Sequence, residues 1–121
     1  MRILIADDQQ AVRSALRLAL EEEARGWAVA EVGDAARLDN AVASGRPHVL
    51  LLDWELPGLG AEAWLRRARE HWPALRVVAM SSLPEAHAEA LAAGADGFLS
   101  KGQSADRALA LLAALGAGRV Q

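Results

Sequence analysis

The stretch Pro47-His48-Val49-Leu50-Leu51-Leu52-Asp53-Trp54-Glu55-Leu56-Pro57-Gly58-Leu59-Gly60 decides how the rest of the chain is read. Val49 to Leu52 form a continuous apolar run bounded by Gly45 and Pro47, the pattern of a strand buried on both faces of a parallel sheet. An acid, Asp53, follows the run directly, and Pro57 and Gly58 then force a turn. The carboxylate is therefore delivered where a strand leaves the sheet, which is where open α/β folds place their ligands.

The same arrangement recurs at the N-terminus, where Ile3, Leu4, Ile5 and Ala6 run into Asp7 and Asp8. From Gln10 the period becomes helical, with Val12, Ala15, Leu16, Ala19 and Leu20 on one face and Gly26 as the stop. Trp27 to Val32 alternates as a second strand nearer a sheet edge, and Asp34 offers an N-cap to a short helix with Leu38, Ala41 and Val42 inward, closed by Gly45 and Pro47. After Gly60 a third helix sets Ala61, Leu65, Ala68 and Trp72 on one face, and Pro73 ends it.

Leu75 to Met80 reads as a fourth strand closing on Ser81 and Ser82. Ser82-Leu83-Pro84-Glu85 has capping-box spacing, so a fourth helix is expected to bury Ala88, Leu91 and Ala92 and to stop at Gly94. Phe98-Leu99-Ser100 makes a short fifth strand ending at Lys101, and Ser104 is placed to cap a fifth helix running to about Leu115. Strands alternating with helices imply parallel pairing through right-handed crossovers. The expected fold is a five-stranded α/β sandwich of the flavodoxin-like kind, order 2-1-3-4-5, with strands one and three flanking the switch point.

With 121 residues the chain suits one domain. A net charge of -3 gives no basic field to draw nucleic acid or an anionic membrane. No cysteine is present, which excludes disulfides and thiolate chemistry. No run approaches the roughly 20 apolar residues of a membrane span, and the apolar opening is cut short by Asp7 and Asp8, so the expectation is a cytoplasmic protein.

Strand ends in a parallel sheet share one rim, so Asp7, Asp8, Asp53, Ser81 and Lys101 should converge. Carboxylates crowded together repel unless a cation offsets them. A hard, oxygen-preferring ion such as Mg2+ suits such a site, and Lys101 adds a fixed positive charge.

These residues carry a resemblance to the receiver domain of two-component response regulators, over Met1 to about Leu115. Its marks are Asp7-Asp8, the turn from Asp53 to Pro57-Gly58, Ser81, and Gly94-Ala95-Asp96-Gly97-Phe98-Leu99-Ser100-Lys101. The resemblance implies that Asp53 takes a phosphoryl group from a histidine kinase, a phosphotransfer protein or a small donor such as acetyl phosphate. It also implies that Asp8, Asp53 and the Glu55 carbonyl ligate Mg2+, with Asp7 acting mostly through water. Lys101, the Ser81 hydroxyl and the Ser82 N–H would bind phosphoryl oxygens, with Ser81 and Phe98 as the switch pair. Helix four, strand five and helix five would then form the face for a homodimer or a docked partner. No catalysis beyond phosphorylation and dephosphorylation at Asp53 is implied.

Departures from the family pattern are Gly102 where many receivers have a proline, the loop Gly58-Leu59-Gly60-Ala61, and the acid Glu55 beside the site. The rival readings are a receiver fold that binds partners without phosphorylation and a magnesium-dependent phosphohydrolase of the haloacid-dehalogenase type. The ending Leu111 to Leu115 is similar to receivers joined to LuxR-type DNA-binding domains, with Gly116 to Gln121 as the start of a linker.

Overall fold

The computed structural model describes residues 1–23, 26–103 and 105–120. Its strands are β1 (Arg2–Ala6), β2 (Ala28–Val32), β3 (Val49–Asp53), β4 (Arg76–Ser81) and β5 (Gly97–Ser100). Between and after them run α1 (Gln10–Glu23), α2 (Leu38–Gly45), α3 (Ala61–His71), α4 (Glu85–Ala92) and α5 (Ala105–Val120). All strand pairs are parallel, in the order β2-β1-β3-β4-β5. That is the order expected of a flavodoxin-like sheet.

Alternate side chains of each strand enter opposite cores, as the strand period of two requires. Leu4, Leu50, Leu52, Val77 and Ala79 pack with α2, α3 and α4 on one face. Ile3, Ile5, Val49, Leu51, Val78 and Met80 meet Leu20 of α1 and Ala108 and Leu112 of α5 on the other. Leu50, Leu51 and Leu52 are entirely buried. Each contributes about 1.5–3 kcal/mol of apolar transfer, which makes β3 the central strand energetically as well as geometrically.

Five local expectations differ from the structure. Asp34 does cap, accepting the Arg37 N–H at 3.0 Å, but what it caps is a 3-10 turn, Ala35–Arg37, that precedes α2. Helix α2 ends through Arg46, which takes the left-handed conformation (φ 46°) in place of Gly45 and returns its N–H to the Val42 carbonyl at 3.0 Å. Helix α4 buries Ala86 and Ala90, with Ala93 just beyond it, while Ala88, Leu91 and Ala92 face solvent. Its entry is not a capping box, because no side chain caps it and Ser81, not Ser82, accepts the Leu83 N–H. Helix α5 continues past Leu115 to Val120. The cap expected at Ser104 lies outside the described residues.

Candidate phosphoacceptor site

Three backbone hydrogen bonds carry the sheet ladder one residue beyond its strands, and each fixes a site residue. The Asp7 N–H donates to the Val32 carbonyl at 3.2 Å, the Trp54 N–H after Asp53 to Met80 at 2.8 Å, and the Lys101 N–H to Ser81 at 2.9 Å. Ala6 pairs with Leu52, so the next residues on the two strands, Asp7 and Asp53, emerge side by side. Rim position follows directly from strand register.

The Lys101 ammonium closes the group, 2.8 Å from Asp7 Oδ2 and 3.3 Å from Asp53 Oδ1. Asp7 and Asp53 are buried, and Asp8 is exposed beside them. Oxygens of all three acids lie within 4.8 Å of one another. Asp7 Oδ1 accepts the Gln9 N–H at 2.9 Å, and Arg13 of α1 donates to the Asp7 carbonyl at 2.7 Å. Asp7 Oδ2 accepts no well-directed hydrogen bond and meets only the Lys101 charge among the described residues. A buried carboxylate oxygen whose one partner is an ammonium keeps lone pairs that a further cation or donor could use.

Electrostatics say the same. Burial first, and then the neighbouring Asp7 charge, push the Asp53 carboxyl above the ordinary carboxylate range, and Lys101 only partly offsets them. Burial works against the Lys101 ammonium, but Asp7 and Asp53 together outweigh it and hold its pKa above the usual lysine value. Two buried acids thus share one fixed cation, a balance that a divalent ion would complete. Hard oxygen donors in this number suit Mg2+.

Ser81 is fully buried at the end of β4. Its hydroxyl donates to Glu55 Oε1 at 2.7 Å, a contact that the sequence reading did not contain. An acid two residues beyond a strand-end aspartate, next to a strand ending in serine, was its only signal. The Glu55 N–H donates to Asp53 Oδ1 at 3.0 Å, so the turn after β3 is folded back on its own carboxylate. Ser82 is exposed.

Phe98 of β5 is half-buried and stacks on His87 of α4, ring centroids 4.6 Å apart and planes within 8°. Trp54 is buried in the core beneath α3 and α4, consistent with packing. No cis peptide bond occurs among the described residues, and Gly102 turns the chain through φ 93°. Gly58 and Gly60 take φ 80° and 64° in the loop before α3, a conformation that explains glycine at both places.

A doubly wound parallel sheet carrying acids at the ends of β1 and β3 and a lysine after β5 defines the class: an open α/β domain built around an acidic rim that one lysine closes. The family model for the response regulator receiver domain matches residues 3–113, and the chain belongs to that family. Among curated relatives, the transcriptional activator protein ExaE of Pseudomonas putida is 37% identical over 103 residues, covering 84% of this chain and 48% of its own. The response regulator MprA of Mycobacterium avium is 37% identical over 118 residues, covering 95% of this chain and 50% of its own. The chain therefore spans about half the length of these relatives. The isolated receiver domain of RcsB from Salmonella enterica serovar Typhimurium, solved with the phosphomimetic BeF3-, superposes with a TM-score of 0.86 at 26% identity, over 98% of this chain and 89% of that one. A LuxR-family response regulator from Aurantimonas sp. SI85-9A1 gives a TM-score of 0.86 at 29% identity, over 98% and 86% of the two chains.

Proposed function

We propose that Asp53 is the phosphoacceptor of a two-component pathway and that the domain switches a binding surface when it is modified. The observation that carries this reading is the meeting of Asp7, Asp8 and Asp53 within 4.8 Å, with Lys101 ion-paired to two of them. Asp8, Asp53 and the Glu55 carbonyl would hold Mg2+, with Asp7 acting through water. When bound, that ion neutralises charge on the transferring phosphoryl group.

The chain's own residues perform the rest. An Asp53 oxygen attacks phosphorus as the bond to the donor, a phosphohistidine nitrogen or an acyl oxygen, breaks in line; a histidine donor departs as neutral imidazole. Lys101 neutralises one equatorial oxygen, and the Ser81 hydroxyl and Ser82 N–H receive others. The product carries about one more negative charge than the carboxylate, enough to draw Ser81 inward and let Phe98 follow. We assign the changed surface to α4, β5 and α5, where a second copy or another partner would dock; exposed Leu91 and half-buried Phe98 and Leu111 lie on these elements.

The relatives' names support transcriptional regulation as the output. Another relative, a protein-glutamate methylesterase/protein-glutamine glutaminase of Cereibacter sphaeroides, is 35% identical, with only 28% of its length covered. The output is accordingly assigned to the regulator and not to the receiver. Among the described residues no helix is long and apolar enough to cross a membrane, and we place the domain in the cytoplasm with its kinase partner. The chain is read as one receiver domain, residues 1–121.

The test is intact-mass spectrometry after acetyl phosphate with Mg2+. Wild type should gain the mass of one phosphoryl group and Asp53→Ala should not. Equal gain in both would move the acceptor elsewhere.

A further inference from the structure

Ser81 has one hydroxyl proton, and in this structure it is committed. Oγ donates it to Glu55 Oε1 at 2.7 Å while accepting the Leu83 N–H at 3.0 Å. A serine hydroxyl cannot donate to Glu55 and to an anion on Asp53 at the same time. Glu55 is also tied to Asp53 itself through its backbone N–H, at 3.0 Å. One acidic residue thus links the acceptor carboxylate to the hydroxyl at the end of the neighbouring strand.

We infer that the Glu55 carboxylate is a resting-state latch: it occupies the Ser81 hydroxyl, holds the turn from β4 into α4, and must be displaced before an anion on Asp53 can take that hydroxyl. The inference rests on the phosphoacceptor reading above. Displacement is chemically reasonable, because a phosphoryl group on Asp53 repels the Glu55 carboxylate and offers Ser81 a more highly charged acceptor. Room exists for the displaced side chain. Glu55 is exposed and opens on a groove of about 570 Å3 lined by Trp54, Ala61, Glu62, Arg66 and Leu83 among others. Arg66, now bonded to Glu62 at 2.9 Å, supplies a cation there. The latch makes Glu55 a positioning residue that sets how readily the modified state is reached.

Two variants test it: Glu55→Ala removes the acceptor, and Glu55→Gln keeps an acceptor oxygen without the charge. In protein free of metal and phosphate, amide exchange at Leu83 should quicken roughly tenfold in Glu55→Ala, while the Val78 amide in the core of β4 is unmoved and Glu55→Gln remains near wild type. Unchanged exchange at Leu83 would overturn the latch. With beryllofluoride and Mg2+, Glu55→Ala should reach half-saturation at roughly tenfold lower concentration than wild type, with Glu55→Gln between them; equal or weaker binding by Glu55→Ala would overturn displacement. Absence of an acetyl-phosphate mass gain in both wild type and Glu55→Ala would count against the phosphoacceptor reading instead, and the Leu83 exchange would still decide the latch.

Discussion

The Lys101 ammonium lies 2.8 Å from Oδ2 of Asp7, the buried acid oxygen that has no directed hydrogen bond. A residue after β5 thereby neutralises a residue after β1, with β3 and β4 lying between their strands. The ion pair crosses the rim of the sheet, so losing it exposes two carboxylates to each other.

Lys101→Ala is expected to cost about 1–3 kcal/mol in metal-free buffer, because breaking a largely buried pair leaves uncompensated charge. Urea titration with and without Mg2+ measures it. Most of the loss should return when the cation is added, and an equal loss in both buffers would show that Lys101 acts by packing alone.

Asp53→Asn should have the opposite effect on the metal-free fold. Burial and Asp7 both oppose ionisation of Asp53, so an uncharged amide of the same shape relieves the repulsion. A rise in Tm on the order of a few degrees at neutral pH is expected. A lower Tm would mean that the Lys101 contact dominates at this carboxylate.

On the proposed reading Mg2+ is held by the folded chain and finds no preformed site in the unfolded one, so it should stabilise by about 2.7 kcal/mol at a hundredfold excess over Kd. Asp8 is exposed. Asp8→Ala should therefore change metal-free stability by less than about 0.5 kcal/mol while removing most of the Mg2+ increment, as calorimetry across a MgCl2 series will report.

Acid sensitivity should include Glu31, whose pKa is lowered, chiefly by the hydrogen bond from Arg17, with Arg13 adding to it. The distances are 2.8 Å from Arg17 and 3.2 Å from Arg13. A carboxylate with a depressed folded pKa stabilises above its unfolded value, 4.5, and that contribution is lost as pH falls through the lower folded value. Because the cluster is partly solvated, Glu31→Gln should cost only about 0.5–1 kcal/mol at pH 7, and the difference from wild type should vanish in acid. Denaturation at several pH values provides the comparison.

The two sides of α4 should answer differently to added volume. Ala90 is fully buried against the sheet and Ala88 faces water. Ala90→Leu is expected to cost about 1–3 kcal/mol by overpacking, and Ala88→Leu to lie within about 0.5 kcal/mol of wild type. Comparable losses measured by thermal melts would reverse the assignment of the helix face.

Strand order, the central place of Val49 to Asp53 and the shared rim of Asp7, Asp53 and Lys101 were legible in the chain. The strands and their rim residues follow from short-range pattern, an apolar run too brief for a helix with a polar group at its end, and the order follows from the flavodoxin-like way of winding a parallel sheet. Where the local signal was weak, pattern failed. Alanine lies at almost every apolar position of α4, and so small a contrast in hydrophobicity does not say which side is buried; packing against β4 and β5 chose Ala86 and Ala90. Arg46 could not be foreseen in a left-handed conformation with a glycine beside it, since the angle of exit from α2 is set by where β3 must begin. The bond between Glu55 and Ser81, residues 26 apart on neighbouring strand ends, depends on the height at which β3 and β4 leave the sheet. Directional contacts of that kind belong to tertiary structure, because a hydrogen bond forms only within a few tenths of an ångström and a narrow range of angles, and no periodicity along the chain encodes that placement.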